Sequence, residues 1–396
     1  MTGTSRVPTV GPVSAHSVRG ASLAPARGRQ AARSSHADRS AAPRPAAAPR
    51  NGHAMADALT ATPARTSSAP AAPTAPPRVS VVVPTYHRPD LLARCLAALV
   101  AQDLAPDAYE IVVADDGASA ATAALVACWA ERASCAVRYV AVTGAHGPAA
   151  ARNRGWQAAR GDLIAFTDDD CVPQVGWLRA GLAACADGVA AATGRIVMPL
   201  PPVPTDYERD AAGLERGEFM TANCFCRRDA LAAVGGFDER FPAAWREDSD
   251  LQFALLERGA RLVRAEDAVV VHPVRPGRWG ISLPQQRKAQ YNALLYKKHP
   301  AHYRQRIQPA PPWRYYATVG ALLTAAGAAA SGRRGLALGA TAVWAVLTAE
   351  FCARRLRGTS HAPAHVAEMI VTSALIPPLA VYWRLRGALK YRVAFL

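Results

Sequence analysis

The sequence predicts an α/β protein with a doubly wound, mainly parallel sheet between residues 78 and 308. Short apolar runs rich in β-branched residues alternate with helical stretches, and the links between them are short. This alternation is typical of parallel strands that are joined by helices. Acidic residues directly follow two of the runs. Ligands of such sheets bind beyond the carboxyl ends of the strands, so we expect these acidic residues to line a binding site.

The first predicted strand is RVSVVVPTY, residues 78–86, whose β-branched run ends at Pro84. Pro84 and Tyr86 therefore lie at the carboxyl end of a buried strand. The predicted helix that follows is RPDLLARCLAALVAQ, residues 88–102. Its apolar side chains fall on one helical face, which is expected to cover the sheet. These side chains are Leu91, Leu92, Cys95, Leu96 and Leu99.

Three further strands and two further helices follow in alternation. The predicted strands are YEIVVADDG (109–117), VRYVAV (137–142) and DLIAFTDDD (162–170), and the predicted helices are ATAALVACWAERA (121–133) and GPAAARNRGWQAA (147–159). The pair Asp115–Asp116 ends the second strand, and the triplet Asp168–Asp170 ends the fourth. Because carboxyl ends of parallel strands meet at one sheet edge, we expect the two acidic groups to converge there.

The triplet Asp168–Asp170 has two interpretations. Adjacent carboxylates repel one another and Asp is a poor strand former, but a solvated turn tolerates such a run at little cost. Alternatively, the triplet binds a divalent metal, because such ions prefer carboxylate oxygens as ligands. Side chains alternate along a strand, so Asp169 is expected to face away from its two neighbours and to be structural.

The bulk composition narrows the classes of partner. The chain has 396 residues and a net charge of +16, from 46 Lys and Arg residues against 30 Asp and Glu residues. This balance suggests nucleic acid, an anionic membrane surface or a phosphate-bearing substrate. The eight cysteines form no CxxC pair, which favours reduced cytosolic thiols over a disulfide framework or a zinc site.

Two regions outside the sheet have distinct compositions. Residues 1–77 are rich in Ala, Pro, Ser, Thr and Arg, and we predict a disordered tail because they bury too little apolar area. The stretches 315–331 and 335–352 are nearly uncharged and long enough for a thin or tilted membrane span. The apolar stretch 366–383 contains a glutamate and the pair Pro377–Pro378. We expect the first two stretches to span as a hairpin, and the third to lie broken at the cytosolic interface. Buried helices of a soluble bundle are the alternative.

Five motifs together resemble a family 2 glycosyltransferase of the GT-A fold. In chain order they are VSVVVPTYHRPDLLARCL, IVVADDGAS, AAARNRG, FTDDDCVP and GGFDERFPAAWREDSDL. The resemblance covers residues 78–275 and implies a nucleotide-sugar donor with a bound Mg²⁺ or Mn²⁺, which neutralises the departing diphosphate. It implies that Asp170 binds the metal and that Asp168 lies near the metal or the ribose. His272 is a further candidate ligand for the metal or a phosphate.

The resemblance also implies a set of donor-binding residues. They are Pro84, Tyr86, Asp115, Asp116, Arg152, Asn153, Asp168 and Asn223. The pair Asp115–Asp116 matches the nucleoside site of the family, with an ordinary Asp-Gly turn as the alternative. Arg152 and Asn153 lie in a helix that begins after Gly147 and Pro148, where the amino end of the helix and a guanidinium favour a diphosphate; a surface arginine is the alternative. Asn223 would contact the donor sugar, although many relatives have glycine near this position.

A second carboxylate group lies in WREDSDL, residues 245–251. Its match to the ED motif of the family implies that Asp248 is the base that takes the proton from an acceptor hydroxyl. Glu247 and Asp250 are then supporting or helix-capping residues. An acidic first turn, favoured by the helix dipole, is the alternative explanation.

These observations predict a tail at 1–77, a catalytic domain at 78–308 and membrane-associated helices at 309–396. The expected reaction is inverting, metal-dependent transfer from a UDP-, GDP- or dTDP-sugar to a saccharide or lipid-linked acceptor, on the cytosolic face of the inner membrane. We expect cell-envelope polysaccharide synthesis and no nucleic-acid partner. One alternative is a sugar nucleotidyltransferase, although PTYHRPD provides no Gly-rich phosphate loop. The other alternative is a non-catalytic membrane scaffold.

Overall fold

The structure is a computed structural model that describes residues 75–395. The tail predicted at 1–77 lies outside this range except for its last three residues. Within the described range the chain forms one eight-stranded sheet with helices around it, followed by long apolar helices. The predicted α/β class is therefore confirmed. All eight cysteines lie in the described range, where none forms a disulfide.

One mixed sheet forms the centre of the catalytic region. Its strands are β1 (Val79–Thr85), β2 (Tyr109–Asp115), β3 (Ala136–Ala141), β4 (Leu163–Thr167), β5 (Val172–Pro173), β6 (Ala191–Val197), β7 (Asn223–Arg227) and β8 (Leu262–Val271). Their order is β3-β2-β1-β4-β7-β6-β8-β5. The first four strands along this order are parallel, as predicted. β7 is antiparallel to both β4 and β6, which makes the sheet mixed.

Thirteen α-helices lie in the described residues. They are α1 (Pro89–Val100), α2 (Ala120–Arg132), α3 (Pro148–Ala158), α4 (Trp177–Ala184), α5 (Asp206–Ala211), α6 (Arg228–Val234), α7 (Glu247–Glu257), α8 (Ser282–Gln285), α9 (Gln290–Lys298), α10 (Pro300–His302), α11 (Trp313–Ala330), α12 (Arg334–Leu356) and α13 (Pro363–Tyr391). The first three helices agree with the predicted ones to within a few residues.

Helices cover both faces of the sheet at the strands that form the site. β1, β2 and β4 are buried along their whole length, which explains their continuous apolar sequences. On one face α1 buries Leu92, Cys95, Leu96 and Leu99, four of the five predicted positions. On the other face α3 approaches closely at Gly155, where a Cβ atom would lie 2.3 Å from Val82 Cγ1.

The carboxy-terminal helices differ from one another in burial. α12 and α13 are the two helices of the described range that are long and apolar enough to cross a membrane. Almost none of the apolar stretch of α12 is buried, whereas nearly half of the apolar stretch of α13 is buried. α13 continues through Pro377 and Pro378, so the expectation of a broken stretch was wrong. Ile376 and Pro377 are buried, and this packing holds the helix together where backbone hydrogen bonds are lost.

Candidate active site

The acidic residues after β2 and β4 flank the end of β1. β1 and β2 are parallel and in register, with Thr85 beside Asp115. β4 lies on the other side of β1 and is followed directly by Asp168. The convergence expected from the strand order is therefore present at this sheet edge.

Asp169, the middle residue of the triplet, points into the protein. The Thr85 hydroxyl donates to Asp169 Oδ2 at 2.7 Å, and Arg88 Nε lies 3.3 Å from the same oxygen. Burial raises the pKa of Asp169 to about 6. These contacts tie the end of β4 to the end of β1, and they agree with the structural role expected from strand alternation.

Asp170 and His272 form a candidate metal centre. His272 follows β8, and its Nε2 lies 3.6 Å from Asp170 Oδ1. The thiol of Cys171 belongs to the same group, whose ligand atoms all lie within 4.8 Å of one another. Burial raises the pKa of Cys171 well above its ordinary value, so this thiol is a poor ligand for a hard cation. The carboxylate and the imidazole fit a divalent cation.

Two guanidinium groups also contact Asp170. Arg275 Nε lies 3.2 Å and Arg88 Nη1 3.6 Å from Asp170 Oδ2. Both side chains are partly exposed, and guanidinium groups in such positions can bind phosphate oxygens. Neither residue was predicted from the sequence. Arg88 stands inside the motif HRPD without a pattern that distinguishes it, and Arg275 lies in an irregular segment.

Arg152 joins Asp168 to the second acidic motif. Its Nη2 donates to Asp168 Oδ1 at 2.7 Å, and its Nη1 donates to Glu247 Oε1 at 3.0 Å. The guanidinium is buried, so solvent ions screen these pairs little. Asp168 is thus placed with Arg152 and outside the Asp170–His272 group. Arg152 itself has carboxylate partners where an open diphosphate site was expected.

α7 presents the second acidic group at its amino end. Arg246 precedes the helix with a φ of +77°, a conformation that costs a non-glycine residue about 1–3 kcal/mol. Its Nε donates to Asn292 Oδ1 at 2.8 Å. Asp248 Oδ1 accepts from the Ser249 N–H at 2.6 Å. Burial raises the pKa of Asp248, and burial together with the Asp248 charge raises the pKa of Glu247 to about 7. Raised carboxylate pKa values of this kind are typical of catalytic bases.

The two aspartates after β2 have different partners. Asp115 is buried and accepts from two N–H groups of the following turn, at 2.9 and 2.7 Å, and from the Tyr139 hydroxyl at 3.1 Å. This geometry corresponds to the turn alternative. Asp116 is partly exposed; it accepts from the Gly147 N–H at 2.9 Å and contacts His146 Nδ1 at 2.9 Å. Asp116 therefore has the more accessible carboxylate of the two for a nucleoside.

Pro84 and Tyr86 end β1 with different exposure. Pro84 is buried within the strand, whereas the Tyr86 side chain is 55% exposed. The Tyr86 ring packs edge-on against the His87 ring, with the centroids 4.3 Å apart. His87 in turn lies over Gly117, where a Cβ atom would approach its ring to 2.8 Å. An exposed aromatic ring at this edge is suited to stack on a nucleobase.

Asn153 and Asn223 use their amide groups inside the protein. Asn153 Nδ2 donates to Phe237 O at 2.8 Å, and its Oδ1 accepts from the Phe237 N–H at 2.9 Å and from Trp156 Nε1 at 3.0 Å. Asn223 accepts from Trp177 Nε1 at 2.8 Å and donates to two backbone carbonyl groups. The geometry of both residues favours support of the fold over direct contact with a donor.

We expect Asn153→Ala to lower the stability of the protein with little change in donor affinity. The substitution leaves the buried Phe237 backbone groups and the Trp156 indole without partners. Each such loss costs about 1–3 kcal/mol. Thermal unfolding and nucleotide titration of the folded variant measure the two effects. A variant with normal stability and weakened nucleotide binding would show that Asn153 contacts the donor.

Comparison with protein families gives two overlapping matches. Residues 80–235 match the Glycosyl transferase family 2 model, and residues 163–383, more than half of the chain, match the Glycosyl transferase family group 2 model. The chain belongs to the family 2 glycosyltransferases. This confirms the predicted enzyme class, a family 2 glycosyltransferase.

Individual relatives match about half of the chain. Glycosyltransferase AglE of Haloferax volcanii is 28% identical over 213 residues, which are 50% of this chain and 68% of that protein. The pre-mycofactocin glycosyltransferase of Mycobacterium tuberculosis is 32% identical over 219 residues, which are 50% of this chain and 43% of that protein. Among solved structures, the mannosyltransferase PcManGT from Pyrobaculum calidifontis, in complex with GDP-Man and Mn²⁺, aligns over 80% of this chain and 88% of its own, with a TM-score of 0.48 and 24% identity. The matched region therefore spans less than half of the mycobacterial relative.

Proposed function

We propose that the chain catalyses inverting transfer of a sugar from a nucleotide-sugar donor to an acceptor hydroxyl. The observation that carries the proposal is the buried Arg152 bridge between Asp168 and Glu247, at 2.7 and 3.0 Å. It holds the carboxylates after β4 and the acidic start of α7 together as one site. A direct displacement needs this proximity, because the leaving group and the base act on the same reacting centre. The inverting outcome is supported by family membership.

The donor side of the site is built to neutralise negative charge. Asp170 and His272 would hold Mg²⁺ or Mn²⁺, which would supply charge neutralisation for the departing diphosphate. Arg88 and Arg275 add positive charge from the chain itself beside Asp170. Preorganised charges of this kind stabilise a developing anion because they need little rearrangement during the reaction. Arg152 holds the Asp168 carboxylate in place, and this carboxylate would contact the donor ribose or the cation.

The acceptor side of the site centres on Asp248. An acceptor hydroxyl is a poor nucleophile until a base removes its proton. The Asp248 carboxylate is held by the Ser249 N–H at the amino end of α7, and its raised pKa makes it a stronger base than an exposed aspartate. Asp248 would therefore take the hydroxyl proton as the oxygen attacks the anomeric carbon. Its neighbour Glu247 accepts a hydrogen bond from Arg152.

The substrates follow from the class of enzyme and from the charge of the site. A UDP-, GDP- or dTDP-sugar is the donor that we propose, and the acceptor is a saccharide or a lipid-linked hydroxyl. Such donors are made in the cytosol, so the catalytic region would face the cytosol at the inner membrane. Cell-wall, capsule, lipid-linked and antibiotic sugars all fit this description.

A donor screen with the purified full chain tests the proposal. UDP-, GDP- and dTDP-sugars are incubated with and without Mn²⁺, and release of the nucleoside diphosphate is followed. We expect release with one nucleotide class and dependence on the cation. Pyrophosphate formed from a nucleoside triphosphate and a sugar 1-phosphate would instead identify a nucleotidyltransferase. The absence of turnover with every donor would favour a non-catalytic scaffold.

α11 is not among the helices that are long and apolar enough to cross a membrane alone, but it packs along α12. We further propose that α11 and α12 enter the membrane together as a hairpin and that α13 lies along the catalytic region. Large apolar side chains are exposed on both hairpin helices, for example Leu323 and Leu338. α13 instead packs on the start of α9, where a Cβ atom on Gly387 would lie 2.4 Å from Gln290 O. Both chain termini would then be cytosolic. We expect a reporter fused after Leu396 to be active in the cytosol, and activity only outside the cytosol would exclude this topology.

A further inference from the structure

The segment 273–281, between β8 and α8, connects the donor site to the carboxy-terminal helices. At its start, the His272 N–H donates to Val197 O at 2.8 Å. Three residues further on, Arg275 Nε lies 3.2 Å from Asp170 Oδ2. The segment has no helix and no strand, and it ends in a turn directly before α8. Contacts with other parts of the chain must therefore determine where the Arg275 guanidinium stands.

The far end of this segment is bound to α13. The Gly280 N–H donates to Glu368 Oε1 at 2.8 Å, and Trp279 Nε1 donates to Ala364 O at 3.4 Å. Glu368 and Ala364 lie one helical turn apart, so both contacts are made with the same face of α13. Gly280 has a φ of +74°, which aims its N–H at the Glu368 carboxylate from a backbone conformation that glycine adopts at little cost.

α13 is itself fastened to the catalytic region through Arg355 of α12. The buried Arg355 guanidinium donates to Asp206 Oδ2 at 2.9 Å, to Thr372 Oγ1 at 2.6 Å and to Ser373 Oγ at 3.1 Å. Asp206 begins α5, so this one side chain joins α5, α12 and α13. Charged hydrogen bonds with buried partners are costly to break. α13, which contacts the 273–281 segment, is therefore held rigidly against the catalytic region.

α5 also contacts the middle of the segment. The Tyr207 ring packs against Gly277, where a Cβ atom would lie 2.7 Å from the ring. The segment thus contacts α5 at Gly277 and α13 at Gly280, while residues 275–279 remain exposed to solvent. A cavity of about 230 Å³ remains between them, and Arg355, Glu368 and His365 contribute to its wall. The contacts at Gly277 and Gly280 leave Arg275 few positions beside Asp170.

We propose that Glu368 is a positioning residue of the donor site: by holding the 273–281 segment at Gly280, it sets the position of Arg275 beside Asp170. The inference rests on the proposed glycosyltransfer, since it assigns Arg275 to the diphosphate of the donor. It makes α13 part of the catalytic unit as well as a candidate anchor. Without the Glu368 contact, donor binding would have to order the segment, and that entropy cost would weaken affinity.

The test compares Glu368→Ala, Glu368→Gln and a matched control, Glu350→Ala, in the full chain in detergent. Glu350 is a half-exposed residue of α12 that pairs with Arg314 and Arg354, away from the segment. Hydrogen exchange over 277–283 reports whether the segment is held, and titration with UDP, GDP and dTDP in the presence of Mn²⁺ reports affinity. We expect Glu368→Ala to lose amide protection and about tenfold in affinity. Glu368→Gln should retain both, because its amide oxygen accepts the same hydrogen bond.

The outcomes separate this inference from the function on which it rests. Wild-type protein that binds none of the three nucleoside diphosphates with Mn²⁺ would overturn both. Normal binding by the wild type with equal affinity in Glu368→Ala would overturn the inference alone, whether or not amide protection is lost. The same conclusion follows if Glu368→Gln behaves like the alanine variant, or if Glu350→Ala loses as much affinity.

Discussion

Asp170→Ala should abolish metal-dependent sugar transfer. The Asp170 carboxylate contacts His272, Arg88 and Arg275 together. Its removal takes away a hard oxygen ligand and leaves three basic side chains without their common partner. Loss of a comparable electrostatic contact lowers rates by about 10²–10³, and we expect a loss of at least this size. The transfer rate as a function of Mn²⁺ concentration measures it.

Asp169→Asn is the matched control for this prediction. The Asp169 side chain is buried and accepts from the Thr85 hydroxyl, and an amide oxygen can accept the same bond. We therefore expect Asp169→Asn to keep its metal dependence, with its main effect on stability. An Asp170→Ala protein with the wild-type rate and Mn²⁺ response would place the cation elsewhere. Asp168 and His272, the other predicted ligands, would then be the residues to substitute.

The position of the site was predictable because it depends on local patterns. β1, β2 and β4 are short buried runs, and their apolar sequences identify them without any knowledge of their neighbours. Once parallel pairing is assumed, the residues after each strand fall at one edge of the sheet. The acidic start of α7 was predicted differently, from its match to the ED motif of the family.

The pairing of side chains across the site was not predictable from these patterns. Arg152 and Glu247 are 95 residues apart, and each has an ordinary helical context of its own. Asn153 and Asn223 lie in or beside the motifs that resemble the family. Their amide groups nevertheless form hydrogen bonds with backbone and indole groups. Such partners are determined by tertiary packing, and a single sequence carries no periodic signal for them.

For the carboxy-terminal helices, too, local properties were predictable from the sequence and tertiary packing was not. Hydropathy identified all three apolar stretches, because length and composition are local properties. The proline pair suggested a break in the third stretch, but the packing of α13 on the catalytic region overrides that local preference. The structure also buries Arg355 among Asp206, Thr372 and Ser373, and its local sequence carries no signal for these distant partners.

Asp248→Asn should abolish transfer while donor binding is retained. The amide is nearly the same size as the carboxylate and can still accept from the Ser249 N–H, but it cannot take a proton from an acceptor hydroxyl. Removal of a general base lowers rates by about 10²–10⁴. Nucleotide titration and transfer assays on the same preparation measure the two effects. Asp250→Asn is the control, because Asp250 is paired with Lys298 and His299 and should affect stability more than transfer.

The pH dependence gives this prediction a second, independent readout. The pKa of Glu247 in the folded protein is about 7, above its usual 4.5. Its contribution to stability is therefore present at low pH and is lost as the pH rises through 7. The charge of Asp248 is one cause of the raised pKa, so Asp248→Asn should lower it. We expect the variant to melt at a higher temperature than the wild type at pH 8, with the difference shrinking towards pH 5.

The wild-type transfer rate should fall as the pH is lowered through the range in which Asp248 and Glu247 become protonated. An Asp248→Asn protein with unchanged transfer would show that another group is the base, and one that has lost nucleotide binding would place Asp248 in the donor site.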